Sequence, residues 1–492
     1  MALRLYDTMS REVRDVFAMD GESVRFYCCG PTVYGPAHVG NFRTFVLQDV
    51  FRRTLETSGL KTYHARNLTD VDDKTIRESQ AEGVSLGEFT DRWTKRFEQD
   101  CGELNLLRPH IQPSAVGHVP EQIALIERLI EGGKAYQAPD KSVYFKVDAF
   151  EDYGSLSRLA DRQITTSSAD RESSDEYDRD SAADFALWKA RRPEDGENYW
   201  ESPWGQGRPG WHIECSAICL KHLGESFDLH SGGVDLVFPH HENEIAQGEG
   251  RTGKCYCNQW MHNNFLNLND EKMSKSLGNI ITARGFMEKY NPEVLKYLML
   301  SSHYRALFNL NNDKISQVLT GLSRIYVSMR DAFTIFAGED VSEKPDAHLV
   351  KLTQEADKKI TESLNDDFNS PEVIAHIFEV VRSFNSMNLI NKKRNGINKA
   401  TSKHFYEWVN GAGKIMALFQ EDPTTLLSEL DDILIREKNI DVLKVESLMD
   451  ERKKARDEKN FSRADEIRDE LTRMGIMIMD GVEGRGWELD KR

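Results

Sequence analysis

No hydrophobic run in this 492-residue chain approaches the roughly 18–20 residues of a membrane span. Met1 to Asp20 interleaves Arg4, Asp7, Arg11, Glu12, Arg14 and Asp15 with no apolar core, so no secretory signal is expected and the cytoplasm is the predicted compartment. Seven cysteines are too few and too irregularly spaced for a disulfide framework in a chain of this length, and metal binding is the better use for them. Positive charge is also short. Lys and Arg number 64 against 81 Asp and Glu, a net charge of −17, which argues against indiscriminate attraction to nucleic acid. A nucleic-acid partner would have to be met on a local basic face. No internal repeat is evident. What the chain does have, 39% hydrophobic and 29% charged residues, describes a globular protein of about three domains that needs neither metal nor disulfide merely to fold.

Along the chain, Ser23–Cys29 reads as a strand broken by Gly30-Pro31. Arg43–Ser58 reads as a helix with Phe45, Val46, Val50, Phe51 and Leu55 on its apolar face, and Thr62–Asn67 as a second strand. Strand, loop, helix, strand opens a doubly wound parallel sheet, whose ligands lie beyond the carboxyl ends of the strands. The stretch 167–181 is nearly devoid of apolar residues and predicts an exposed loop; a strand over Ser142–Val147 before it and a return to packed structure over Asp184–Lys189 after it suggest an inserted subdomain. Sheet signals return over Phe227–Phe238 and Asn264–Leu268. Beyond about Asn291 the pattern is helical; Phe461, Ala464, Ile467, Leu471 and Met474 share one helix face, and Ile476–Met479 reads as a short terminal strand before an Asp480-Gly481 turn.

Three places could carry chemistry. The loop from Gly30 to Asn41 leads from a strand into a helix N-terminus, where backbone N–H groups attract phosphate; His38 could donate to a phosphate oxygen and Gly40 would let a bulky ligand approach, though a plain structural turn fits as well. Lys272-Met-Ser-Lys275-Ser276 suits a loop that closes over a polyphosphate and neutralises its charge, or else a solvated surface loop. Cys29, Cys215, His240 and Glu244 form a Cys₂-His-Glu set suited to tetrahedral zinc, with His240 and Glu244 at i and i+4. The competing description makes both cysteines buried apolar side chains. Cys28 and Cys29 adjoin, so only one can face a site beyond the strand.

Cys29-Gly-Pro-Thr-Val-Tyr34, His38-Val-Gly-Asn41, Asn67-Leu-Thr-Asp-Val-Asp-Asp-Lys74, Gly210-Trp-His-Ile-Glu-Cys215, Phe238-Pro-His-His-Glu-Asn-Glu244 and Lys272-Met-Ser-Lys-Ser276, in that order, resemble the motifs of cysteinyl-tRNA synthetase, a class I aminoacyl-tRNA synthetase family. The likeness continues through Asn365-Asp-Asp-Phe-Asn-Ser-Pro371 and Ala464-Asp-Glu-Ile-Arg468, so it spans essentially the whole chain. It implies an α/β, Rossmann-type parallel-sheet catalytic domain over residues 1–320 with a connective insertion at about 115–205, a helical domain over 321–420 and a small anticodon-binding module over 421–492.

The resemblance also implies the chemistry: ATP-dependent activation of L-cysteine and its transfer to the 3′ end of tRNA(Cys) by a monomer. Cys29, Cys215, His240 and Glu244 would hold one zinc ion that selects the thiol, and Mg²⁺ would accompany ATP. Gly30, Thr69 and Trp211 would line the amino-acid pocket. His38, Gly40, Asp235 and Lys275 would meet ATP, with His38, Asn41, Lys272 and Lys275 as the catalytic set. Asn41 departs from the family pattern, which more often has histidine there; asparagine still donates hydrogen bonds but carries no charge. Relatives that join cysteine to an amino sugar use the same adenylate chemistry, and a catalytically silent RNA-binding protein is a further alternative; the long region after residue 320 and the intact lysine motif favour the tRNA ligase. Two basic stretches, Lys392-Lys-Arg394 with Lys399 and Lys403, and Arg452-Lys-Lys454 with Arg456, could track phosphates or simply face solvent, and Trp487 could stack on a base or fill a core.

Overall fold

The computed structural model describes residues 3–159, 184–273, 278–337, 341–479 and 486–490. The acidic stretch 167–181, Ser274 to Ser276 with Lys275 between them, and the Asp480-Gly481 turn lie outside the described residues. The chain divides into two compact units. One comprises Met1–Arg284, Ser302–Leu310 and Ile360–Val373, and the other Gly285–Ser301, Asn311–Lys359 and Ile374–Arg492. Among the described residues no helix is long and apolar enough to cross a membrane.

The first unit is built on a four-stranded parallel sheet. Its elements are β1 (Ser23–Cys28), α1 (Val39–Thr57), β2 (Lys61–Arg66), α2 (Trp211–His222), β3 (Phe227–Gly233), α3 (Glu242–Thr252) and β4 (Cys257–Asn263). The spatial order is β4-β3-β1-β2, with Phe26 of β1 aligned to His64 of β2 and to Leu229 of β3. Because α1 returns the chain to one side of β1 while β3 lies on the other, the order reverses between β1 and β3, where a doubly wound sheet opens a crevice at its carboxyl edge. Phe26 stacks on His64 at 4.4 Å and meets Phe51 of α1 edge-on at 5.1 Å, burying the helix on the sheet.

α1 begins four residues earlier than the apolar periodicity suggests. His38 and Asn41 make a reciprocal capping box, the ring of His38 accepting from the Asn41 N–H and the Asn41 side chain accepting from the His38 N–H. The strand signal over Phe227–Phe238 resolves into β3 followed by tight turns over Val234–His241. That over Asn264–Leu268 becomes a separate short strand, Leu266–Leu268, paired with Glu271–Lys272 and Phe308–Leu310. β4 has no counterpart in the sequence reading, because Asn258, Gln259, His262 and Asn263 dilute its apolar content although nearly the whole strand is buried.

Between β2 and α2 the described residues include the α-helices Asp73–Glu82, Leu86–Glu103 and Val119–Glu131 and an antiparallel sheet of Ala135–Gln137, Val143–Phe145, Phe185–Ala190 and Gly207–Pro209. Phe145, Phe185, Leu187 and Trp188 from this sheet pack with Leu125, Ile126 and Leu129 of the third helix.

The second unit is helical, with Pro292–Leu300, Asn312–Phe336, Gly396–Met416, Pro423–Glu437, Val442–Asp457 and Phe461–Arg473, and it ends in a hairpin of Ile476–Ile478 with Trp487–Leu489. Ala464, Ile467 and Leu471 are buried as their spacing predicts, but Phe461, the first residue of its helix, is 64% exposed and does not belong to that face. Trp487 is 4% exposed within the hairpin, which removes base stacking from its possible uses.

Candidate active site and metal cluster

The site lies at the carboxyl edge of the sheet, at the β1/β3 reversal. Cys29, one residue past β1, Cys215 on α2, His240 in the turn before α3 and Glu244 on α3 are all buried, and one potential ligand atom from each lies within 4.8 Å of the others. His240 Nε2 is 3.1 Å from Glu244 Oε1. Cys28, pointing the other way, is buried outside the cluster, as alternation along β1 requires. Cys219 and Cys257 pack in the surrounding apolar core rather than with the cluster.

A second quartet shares two of these groups: Cys29, His230, His241 and Glu244 also place ligand atoms within 4.8 Å. The outer nitrogens of the imidazoles separate the two sets. A ligating histidine almost always donates its other N–H to a fixed partner. His240 has Nδ1 2.8 Å from His212 Nδ1, whereas His230 Nδ1 is buried without a hydrogen-bond partner. The first set is therefore the better-oriented one, and His230 serves it from outside, its Nε2 3.0 Å from Glu244 Oε2, where Tyr256 Oη also reaches at 3.3 Å. His241 Nε2 lies 3.4 Å from the Cys29 sulfur, and its Nδ1 meets His262, which in turn meets Thr8 Oγ1 at 2.7 Å.

The electrostatics call for a cation. Burial opposes charge on Glu244, yet His230 and His240 hold its carboxyl down to about 2. Burial likewise works against protonated His240, yet Glu244 and Cys215 lift it to about 10. The hydrogen bond with Cys29 brings Cys215 down to about 6 against its burial, while burial pushes Cys29 up. One imidazolium among a carboxylate and a thiol of lowered pKa is the charge a divalent ion would displace, releasing its proton. The donors, two sulfurs, an imidazole nitrogen and a carboxylate oxygen, fit a borderline-soft tetrahedral ion.

Around this cluster the structure gathers the other candidate residues. Asn67 Oδ1 accepts from the Gly30 N–H at 2.7 Å and its amide donates to Thr69 Oγ1 at 3.1 Å; Thr69 also bridges to Thr32 in parallel register. A Cβ on Gly30 would lie 1.7 Å from the Asn67 carbonyl oxygen, so this approach requires glycine. The Trp211 ring stacks on His240 at 4.4 Å, which puts it over the cluster. His38, depressed by burial although Asp235 pulls the other way, is a neutral ring at the N-terminus of α1. Asp235 is exposed in the turn just beyond β3. The position a side chain on Gly40 would occupy is 3.1 Å from the Met273 methyl, and Val39 N–H donates to Ile281 O at 3.0 Å, so Met273 of the lysine motif and the segment at Ile281 lie against the first signature. Lys272 ends the strand Glu271–Lys272, and Lys275 falls outside the described residues.

His212, His230, His241, His262 and Tyr256 were not among the residues singled out by sequence. His230, Tyr256 and His262 lie in or next to strands, where no spacing rule marks a polar residue that turns inward; His212, inside the Gly210–Cys215 motif, and His241, beside His240, carried a local signal.

Residues 16–320 match the model of the class I (C) tRNA-synthetase catalytic domain, 359–420 that of the DALR domain and 443–487 that of the cysteinyl-tRNA ligase anticodon binding domain. The chain is 41% identical over 490 residues to the cysteine–tRNA ligase of Bdellovibrio bacteriovorus, covering 99% of this chain and 100% of that one. It is 39% identical over 490 residues to that of Geobacter sulfurreducens, with the same coverage. Among solved structures, Mycobacterium tuberculosis methionyl-tRNA synthetase in complex with methionyl-adenylate superposes with a TM-score of 0.58 over 80% of this chain and 90% of that one, at 14% identity, a likeness of fold. With a catalytic-domain match over 16–320, an anticodon-binding match over 443–487 and end-to-end identity of this size, the chain belongs to the cysteine–tRNA ligase family.

Proposed function

We propose that the chain activates L-cysteine with ATP to cysteinyl-adenylate and transfers the cysteinyl group to the 3′ end of tRNA(Cys), working as a monomer in the cytoplasm. The observation that carries this reading is the buried Cys29–Cys215–His240–Glu244 cluster beneath Trp211 at the sheet's carboxyl edge. These four residues would hold one zinc ion, which offers sulfur a better ligand site than it offers a hydroxyl and so separates cysteine from the near-isosteric serine.

The rest is supplied by the chain itself. Gly30, Thr69 and Trp211 line the space where the amino acid sits. Its carboxylate oxygen attacks the α-phosphorus of ATP and the bond to pyrophosphate breaks; an ionised carboxylate needs no general base, so alignment and charge stabilisation dominate. His38 acts as a neutral hydrogen-bond donor at the N-terminus of α1, where Gly40 lets phosphate approach the backbone. Asn41 holds the cap that aims His38, a task that needs no charge. Asp235 receives the ribose, while Lys272 and Lys275 neutralise the departing phosphates; Mg²⁺ bound with ATP would add to that neutralisation. The module matched over 443–487 favours tRNA over an amino sugar as acceptor.

The test is cysteine- and serine-dependent ATP–pyrophosphate exchange, tRNA charging and metal analysis on one preparation of the full chain. Zinc near one per chain, exchange with cysteine alone and charging of tRNA(Cys) are expected. Cys215→Ser should lower zinc affinity at least tenfold and erode the preference for cysteine. Unchanged metal content and unchanged discrimination in that variant would overturn the zinc reading.

A further inference from the structure

A charge cluster of two buried cations and a carboxylate that is 35% exposed, Asp73, lies outside the metal site and outside every role assigned above. Lys189 and Arg208 are direct cross-strand partners on neighbouring antiparallel strands of the insertion, so their side chains leave the same face side by side. Both are buried. Two cations so placed repel each other unless an anion lies between them, and the carboxylate of Asp73 does: Oδ2 is 3.1 Å from Lys189 Nζ, and Oδ1 accepts from Arg208 Nη2. Arg208 Nε also donates to Asp195 Oδ1 at 3.0 Å. A second tie, from Gln80 Nε2 to the Glu194 carbonyl at 2.8 Å, joins the helix that begins at Asp73 to the same part of the insertion.

What these residues connect gives the cluster its meaning. Asp73 opens the helix Asp73–Glu82, capped by Asp72 with Thr75, and Thr69 lies four residues upstream in the same short segment, where the Asp70 carboxylate is itself fixed by the Val116 N–H at 2.9 Å. Arg208 lies three residues before Trp211, and the link is stiff. Gly210 N–H donates to Leu187 O at 2.9 Å, and a Cβ on Gly210 would lie 2.2 Å from the Ala186 oxygen. Thr69 and Trp211 are thus carried by two different segments, each with little slack, and the Asp73 carboxylate is the charged tie between them, beside the Gln80–Glu194 hydrogen bond and the packing of Trp200 against the Val71–Ile76–Ala115 cluster.

We infer that Asp73, held between Lys189 and Arg208, is a positioning residue that fixes the separation of the Thr69 and Trp211 walls of the amino-acid pocket and thereby sets the affinity for cysteine. This rests on the function proposed above. Asp73→Asn keeps the shape and removes the shared negative charge; Arg208 retains Asp195, and the repulsion between Lys189 and Arg208 is left less compensated. The KM for cysteine in ATP–pyrophosphate exchange rises at least tenfold, while the KM for ATP stays within twofold and zinc content is unchanged. Replacing Lys189 by Met in the same chain relieves the repulsion and returns the KM for cysteine to within threefold of the parent.

A role confined to stability would instead lower the melting temperature or the active fraction and leave that KM in place. An Asp73→Asn KM for cysteine within twofold of the parent, or equal rises for cysteine and ATP, overturns the inference. Should Asp73→Asn not fold, Lys189→Met alone decides: a rise of about threefold supports the clamp and no change refutes it. A parent chain without cysteine-dependent exchange would instead overturn the proposed function, and the clamp's purpose with it.

Discussion

Glu293 shows how much one side chain can couple to its surroundings. It lies in the helical unit, buried, with its carboxylate accepting from Tyr326 Oη and, at 2.6 Å, from the Phe419 N–H. Burial raises its pKa to about 7 despite those bonds. The fold therefore prefers the protonated acid. The stability this contributes is complete below about pH 4.5 and is lost as pH rises through about 7, a change of about 3 kcal/mol for a shift of this size. Glu293→Gln should remove that slope. Hydrogen exchange of the Pro292–Leu300 amides, corrected for intrinsic rates, is expected to show protection that falls between pH 5 and 7.5 in the parent and stays level in the variant; parallel profiles would refute the assignment. Such a residue is invisible in sequence, where a glutamate just after a proline reads as an ordinary first-turn acid. The metal quartet is different. Cysteine, histidine and glutamate types are sparse enough in suitable places that the four could be named from the sequence, and the structure brings them together. The imidazoles around them are harder to name: His230 and His262 turn inward from strands, where no spacing rule marks them, and His212, on α2, stands at no spacing that assigns it a partner.

At the scale of elements, what was legible followed from periodicity and what was missed followed from polar content or caps. β1, α1 and β2 are evident from apolar patterning alone, whereas the true start of α1 depends on side chains reaching backbone N–H groups, and β4 is polar because its buried amides and imidazoles find partners in the fold. Gly210 illustrates a constraint of the same order. It caps α2, the helix that carries both Trp211 and Cys215, and sits where any side chain would collide with the Ala186 carbonyl. Gly210→Ala should shift the start of that helix and cost about 3 kcal/mol, as overpacking against backbone does. The checks are thermal unfolding and zinc content measured together. A loss of both is expected, because one helix holds the pocket wall and a ligand; a fully stable variant with native metal content would show that the segment can yield.

At the scale of the whole molecule, a chain with a net charge of −17 must meet a polyanion on a local surface. The helix Val442–Asp457, largely inside the region matched to the anticodon-binding domain, carries Arg452, Lys453, Lys454 and Arg456, with both lysines exposed. Sequence left this stretch equally readable as a solvated helix face, since a run of basic residues has the same spelling in either case, and only its place in the matched module favours the phosphate reading. If Lys453 and Lys454 each neutralise one phosphate, replacing both by Ala raises the KM for tRNA(Cys) about tenfold near physiological salt and makes the log–log salt dependence shallower by about 1 per lysine. Cysteine-dependent ATP–pyrophosphate exchange, which needs no tRNA, should be untouched. A KM for tRNA that keeps the parent's value and salt slope would return these lysines to the role of solubilising surface and move the search to Lys392, Lys393 and Arg394, which are exposed on the same helical unit.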